Sequence, residues 1–155
     1  MRITAKVDYA VRACVELAAR SAAGDEGLLR GEVIGDRQGI PTKYLESILS
    51  ELRRAGLVSS QRGPDGGYRL AQAADAITIA DVIRAVEGPL ADVRGAPPED
   101  LDYPGVAAPL EQVWIANRAS IRRVLERMTL ASIANDQLPA DVLELLESPG
   151  AWERR

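Results

Sequence analysis

The sequence predicts a mainly α fold with a small β wing, in which a helical head precedes one long helix that serves dimerisation. Two stretches carry that prediction. In the first, Gln38 to Gly67, a tight turn leads into Leu45, Ile48, Leu49 and Leu52 at i, i+3, i+4 and i+7, one buried helical stripe. Gly56 supplies a left-handed C-cap, because it lacks the Cβ that would clash there. Leu57 to Ser60 reads as a strand, Gly63-Pro64-Asp65-Gly66-Gly67 as a turn and Tyr68-Arg69-Leu70 as the returning strand. In the second, Leu110 to about Met128, Leu110, Val113, Trp114, Ile121, Val124, Leu125 and Met128 keep helical spacing in what reads as the longest helix. A short helix, a Gly-Ile-Pro turn, a polar-faced helix and a basic hairpin together make a winged helix-turn-helix, whose second helix enters the major groove of DNA.

Taken in order, Lys6 to about Ala23 is a helix with Thr4 as N-cap and Val7, Ala10, Val11, Cys14, Leu17 and Ala18 on one face. Asp8 is a first-turn acid favoured by the helix dipole, and Cys14 is read as a small core residue, with a redox role as the alternative. Ser21 to Gly27 is a polar loop. Glu32 to Gln38 forms the first helix of the motif, with Val33 and Ile34 inward. Gly39 turns the chain, Ile40 plugs the core and Pro41 opens the recognition helix, where its missing N–H costs nothing. Thr78 and Asp81 form a variant capping box ahead of a helix whose buried face is Ile79, Val82, Ile83 and Val86, ended by Gly88-Pro89. Leu90 to Pro109 is rich in Pro, Gly and acid, and a loop of that length inside a compact domain is usually functional or mobile. Thr129 to Ala134 reads as a short helix. The tail beyond Pro139 carries an apolar run, Val142-Leu143-Leu145-Leu146, that docks weakly. The expected organisation is a DNA-binding domain over residues 1–87, an effector loop over 88–109, the dimerisation helix and a short packing helix over 110–134, and a tail over 135–155.

Composition excludes several function classes. One cysteine and no histidine rule out an intrachain disulfide and remove the residues from which zinc and most catalytic sites are built. No catalytic residues, metal ligands or cofactors are expected, and Gly63 to Gly67 joins two strands rather than opening a helix, so it is no nucleotide loop. No apolar run approaches a membrane span and no apolar leader opens the chain, which points to the cytoplasm. The net charge of −4 is unevenly divided. Residues 1–72 hold eleven Lys or Arg against nine Asp or Glu, whereas residues 73–155 hold eight against fourteen. Between Arg37 and Arg69 the count is six basic to three acidic, and local cations at phosphates set DNA affinity.

Three segments carry a resemblance. MRITAKVDYAVRA, GIPTKYLESILSELRRAGLVSSQRGPDGGYRLA and ITIADVIRAVEGPL are similar in order and spacing to the Rrf2 family of bacterial transcription regulators, from Met1 to about Ala134. The resemblance implies that Lys43, Tyr44 and Glu46 meet base edges and that Arg62 is the wing contact. Chemistry agrees: Lys43 donates to guanine acceptors, Glu46 accepts from cytosine N4, and Thr42 bonds a phosphate at the positive helix end. Gln61, Arg62 and Gly63 form the wing tip, where the planar Arg fork suits phosphates or a narrow minor groove. Tyr44 has packing against the wing as its alternative role, and Glu46 a solvated pairing with Arg53 or Lys43. Arg53 and Arg54 either contact phosphates or stabilise the last helical carbonyls.

The resemblance also implies that Leu28-Leu29-Arg30 pairs with the wing and that the long helix joins its twin. The homodimer interface then comprises Leu110, Val113, Trp114, Asn117, Ile121, Val124, Leu125 and Met128, and two recognition helices favour a palindromic operator. Cluster-binding members hold an iron–sulfur centre with three cysteines in the loop before that helix, and in some an aspartate at the position of Asp8 is a ligand. This chain has no cysteine in that loop, so no cluster is expected. A small-molecule effector or a partner enzyme takes its place, or the protein is a constitutive repressor; Asp102, Tyr103 and Trp114 are candidate pocket residues, with ordinary packing as their alternative. The clusterless loop with its DLDYPG segment resembles that of actinobacterial members of the family, and that resemblance implies a link to sulfur or cysteine metabolism. The functional expectation is a DNA-binding repressor; the rival is a dimeric adaptor that keeps the fold but binds protein.

Overall fold

The computed structural model describes residues 2–25 and 27–154. Met1, Glu26 of the polar loop expected from Ser21 to Gly27, and Arg155 of the tail lie outside the described residues. Among the described residues seven α-helices and one hairpin follow in the order α1 (Ala5–Ala22), α2 (Gly31–Gln38), α3 (Thr42–Arg54), β1 (Val58–Gln61), β2 (Gly67–Leu70), α4 (Ile79–Glu87), α5 (Leu110–Leu125), α6 (Leu130–Ala134) and α7 (Ala140–Leu146). Among the described residues no helix is long and apolar enough to cross a membrane.

α1 is the central element. Val7, Ala10, Ala13, Cys14, Leu17 and Ala18 recur at helical spacing and are all buried, which lets α2, α3, α4 and α6 pack around it. Thr4 caps it, its side chain accepting from the Val7 N–H at 3.2 Å. Lys6 ties three helices at one point, donating to the Val86 carbonyl at 2.6 Å and pairing with Glu51 at 2.7 Å. Glu16 pins α2 to α1 through Arg37 at 2.7 Å and Gln38 at 2.8 Å. Burial pushes the Glu16 carboxyl up, but these two hydrogen bonds and the Arg37 charge outweigh it and hold the group below its usual range.

Thr78 and Asp81 form a complete capping box at the start of α4. Burial pushes the Asp81 carboxyl up, and the Thr78 bonds and Arg84 overcome that and lower it. The chain returns to this point much later. Ile79 donates to the Met128 carbonyl at 2.8 Å and Leu130 to the Ile77 carbonyl at 2.9 Å, which stitches the end of the α5 segment and α6 onto α4. This corrects the expectation of one helix running to about Met128 as the longest. α5 has 16 residues against 18 in α1, and it stops at Leu125 so that Met128 can enter the core, where it is 7% exposed.

Residues 88–109 are ordered by local and tertiary bonds. Val93 and Ala96 form a bridge, 3₁₀ turns follow at Pro98–Asp100 and Gly105–Ala107, and Pro98 is buried. Arg118 of α5 holds Glu99 at 2.7 Å, and that bond is the main cause of a lowered Glu99 carboxyl. In α7, Val142 packs against the core while Leu143, Leu145 and Leu146 remain exposed, and Arg127 pairs with Asp141 at 2.9 Å.

Candidate nucleic-acid interface

The recognition helix is positioned by two left-handed glycines. α2 ends at Gly39, φ 63°, and the Ile40 N–H returns to the Gly35 carbonyl at 2.9 Å. That turn drops Ile40 into the core, 4% exposed, and starts α3 at Thr42 in a new direction. A Cβ at Gly35 would sit 3.0 Å from the Ile40 oxygen, a close approach that favours glycine there as well. At the far end of α3, Gly56 (φ 74°) donates to the Arg53 carbonyl at 3.1 Å and Leu57 to that of Leu52 at 3.0 Å. These two bonds make a Schellman motif with its usual apolar contact between Leu57 and Leu52. Between the two glycines, Leu45, Ile48, Leu49 and Leu52 are at most 1% exposed, each contributing roughly 1.5–3 kcal/mol of burial. Their burial fixes the opposite face outward: Thr42, Lys43, Tyr44, Glu46, Arg53 and Arg54 are all exposed.

The wing follows directly. β1 and β2 pair antiparallel with Val58 opposite Leu70, Ser59 opposite Arg69, Ser60 opposite Tyr68 and Gln61 opposite Gly67. Leu29 adds a single bridge outside Tyr68, with both backbone bonds at 2.8 Å, so the expected strand at Leu28-Leu29-Arg30 is reduced to one residue pair. The tip residues Gln61, Arg62 and Gly63 are exposed. Arg30 donates to the Pro64 carbonyl and so anchors the tip to the start of α2. Arg53 reaches Ser60 Oγ at 3.3 Å and Arg69 reaches Ser59 Oγ at 3.4 Å. Tyr44 has an aromatic partner on α1. Its ring meets Tyr9 of α1 edge-on at 5.7 Å, and the Arg12 guanidinium lies 5.6 Å from the Tyr9 ring centre. Asp8 is the i, i+4 partner of Arg12 at 3.1 Å.

The electrostatic pattern concentrates unpaired cations on this face. Lys6, Arg12, Arg20, Arg37, Arg84, Arg118, Arg122 and Arg127 each pair with a carboxylate. Among the described residues the cations without such a partner are Lys43, Arg53, Arg54, Arg62, Arg69 and Arg30, which belong to α3, the wing or its anchor, and Arg2, Arg94, Arg123 and Arg154, which are scattered over the rest of the chain. Glu46 pairs with neither Arg53 nor Lys43. Arg30, Arg69 and Tyr9 were not singled out from the sequence as part of this face. The alternation along β2 was a signal for Arg69, whereas the Tyr9–Tyr44 contact depends on how α1 crosses α3.

The expected dimer residues fall into two groups. Leu110 and Val113 near the start of α5 are exposed, whereas Ile121, Val124 and Leu125 pack against the chain's own core and Met128 belongs to it. Asn117 and Trp114 line a cavity of about 490 Å3 between α5, the end of α4 and the start of α1. Asp102 and Tyr103 do not line that cavity. Trp114 Nε1 is buried without a hydrogen-bond partner, an arrangement that costs roughly 1–3 kcal/mol when nothing accepts from it.

Exposed cations without acid partners, carried by a helix-turn-helix and its wing, are what a phosphate backbone requires, and they define a winged helix-turn-helix DNA-binding transcription regulator. The Rrf2 family model, described as an iron-dependent transcriptional regulator, matches residues 3–136, and the chain belongs to that family. It is 46% identical over 153 residues to Rv1287 of Mycobacterium tuberculosis, named as an HTH-type transcriptional regulator, covering 99% of this chain and 93% of that one. It is 39% identical over 137 residues to the HTH-type transcriptional regulator IscR of Erwinia tasmaniensis, covering 88% and 81%. Among solved structures it is similar to CymR, the global cysteine regulator of B. subtilis, with TM-score 0.72, 34% identity and coverage of 88% and 98%. It is also similar to T. potens IscR, with TM-score 0.69, 34% identity and coverage of 88% of each chain. These relatives are regulators, and the chain is not an enzyme.

The family description names iron, and the donors of this chain do not fit an iron–sulfur centre. The single cysteine, Cys14, is completely buried in α1, and burial pushes its thiol up to about 12. Histidine is absent from the sequence, and among the described residues no three His, Cys, Asp or Glu side chains converge where a metal could sit. Asp8 is paired with Arg12 at 3.1 Å.

Proposed function

We propose that the chain is a cytoplasmic, homodimeric repressor that reads a palindromic operator without an iron–sulfur cluster. The unpaired cations of α3 and the wing are the observation that carries this reading. α3 lies in the major groove with Lys43, Tyr44 and Glu46 at base edges, and the edge-on contact with Tyr9 holds Tyr44 in place. Thr42 bonds a phosphate from the positive end of α3, and Arg53 and Arg54 flank the backbone. Gln61, Arg62 and Gly63 reach the neighbouring minor groove. The exposed Leu110 and Val113 at the start of α5 are covered by the twin helix of a second copy, which places two recognition helices about a two-fold axis. Bound over a promoter, the dimer excludes the transcription machinery, and a small molecule or partner protein relieves it. Similarity to a global cysteine regulator supports a role in sulfur or cysteine metabolism.

The test selects bound sites from fragmented genomic DNA with the purified protein, then measures affinity for the enriched palindrome at several salt concentrations. Lys43→Ala is expected to cost about 1–3 kcal/mol and to relax the sequence preference, and Arg62→Ala to lower the salt slope by about one. An adaptor that binds only protein would yield no enriched site and would be indifferent to both substitutions.

A further inference from the structure

The cavity beside Trp114 joins the two halves of the molecule. Its apolar wall is built by Ile3 and Val7 at the start of α1, Ile83 of α4, Leu90 of the loop, and Trp114 and Ile121 of α5. Anything held there touches both the DNA-binding head and the helix assigned to dimerisation. At about 490 Å3 the space lies within the range of small-molecule sites.

The polar groups around it indicate what is missing. Trp114 Nε1 is a donor with no acceptor, in a buried position where nearly every polar atom has one. Arg2 and Arg94 stand on the rim, and among the described residues neither is paired with a carboxylate. Two acids share the rim. Glu87 accepts from the Thr4 hydroxyl and so is held toward α1 with its charge intact, and Asp92 stands beside Arg94 on the loop. The lining thus holds two guanidinium groups without a carboxylate partner and two carboxylates, beside an unsatisfied N–H and an apolar wall. The lip is also held in an unusual conformation: Ala91 and Arg94 are left-handed without being glycines, with φ 59° and 57°. Such backbone persists where surrounding structure imposes it, and it recurs at ligand clamps.

We propose that this cavity binds a monocarboxylate with an apolar body, resting on the reading of the chain as a regulated DNA reader. The carboxylate accepts from the Trp114 indole and from Arg94 or Arg2, and the apolar body lies against Ile83, Leu90 and Ile121. Because the site spans α1, α4 and α5, occupancy shifts the angle between the head and the dimer helix only as far as the ligand prefers one arrangement.

Calorimetry on the full chain tests the assignment with octanoate, octan-1-ol and 2-aminooctanoate as probes. Octanoate is expected to bind saturably at one site per chain, with octan-1-ol and the zwitterion at least about tenfold weaker. Trp114→Phe, which keeps the ring and removes the N–H, and Arg94→Gln, at an exposed position, are each expected to weaken octanoate about tenfold. Trp152→Phe, remote from the cavity, is expected to leave the titration unchanged. The absence of saturable octanoate binding, equal binding of the alcohol, tighter binding of the zwitterion, or an unchanged titration in Trp114→Phe would overturn the proposal. Operator binding by the same preparation without carboxylate separates the two readings. Intact operator binding with no octanoate site removes this inference alone, whereas loss of operator binding removes the DNA-reading proposal beneath it.

Discussion

Cys14 illustrates how burial decides chemistry at a single residue. It lies on the α1 stripe between Ala10 and Leu17, fully buried, with desolvation as the cause of a thiol pushed up to about 12. The thiolate is the nucleophile, and at neutral pH almost none is present in the folded chain. Iodoacetamide at about pH 8 is therefore expected to leave the folded protein unmodified and to alkylate it fully once denatured, because an exposed cysteine titrates near ~8.5. Mass spectrometry of the two reactions checks this, and rapid labelling of the folded chain would restore a redox role. The stripe made this residue's place readable in the sequence. Tyr44 was not readable in the same way. Its neighbour Tyr9 lies on another helix, and only the packing of α1 across α3 brings the rings together.

The wing shows the same division at the level of an element. Five residues dense in glycine between two short strands identify a hairpin, and its strands form at Val58–Gln61 and Gly67–Leu70, so that Leu57 drops out of the first and Gly67 joins the second. What the pattern could not reveal is why each glycine stands where it does. A Cβ on Gly66 would lie 2.9 Å from both the Arg62 carbonyl carbon and the Gly63 oxygen, and one on Gly67 would lie 2.7 Å from the Leu29 oxygen. The first glycine permits the tip to fold and the second lets Leu29 approach closely enough to form its bridge with Tyr68. Gly66→Ala is accordingly expected to cost about 1–3 kcal/mol of stability and to displace Arg62. Operator affinity should fall by more than that stability loss explains, because α3 and its core stripe lie away from the tip. Denaturant unfolding and anisotropy on the same samples separate the two effects. Affinity within about twofold of the parent chain would show that the tip makes no important contact with DNA.

For the whole molecule, the contrast between α3 and α5 is the informative one. α3 buries its apolar stripe completely within the chain, whereas none of the 16 residues of α5 is fully buried. Helical spacing alone showed an apolar stripe in both, because periodicity reports a face and not what covers it. The far end of the α5 stripe is used internally, since Ile121, Val124 and Leu125 lean on the core and Met128 enters it. Leu110 and Val113 at the near end are 37% and 51% exposed, and the fully exposed Val106 precedes them, an apolar patch of the kind that marks an interface. Val113→Glu should therefore act on assembly and spare the fold, because a charge at this position meets water in the separated chain and a second apolar helix in the dimer. Sedimentation is expected to give about twice 16.7 kDa for the parent chain and 16.7 kDa for the variant, with unchanged circular dichroism. The variant should still bind a single half-site weakly and should lose the added affinity of the palindrome, since each recognition helix then docks alone. A variant that remains dimeric would move the interface away from the start of α5, and the exposed leucines of α7 would be the next surface to substitute.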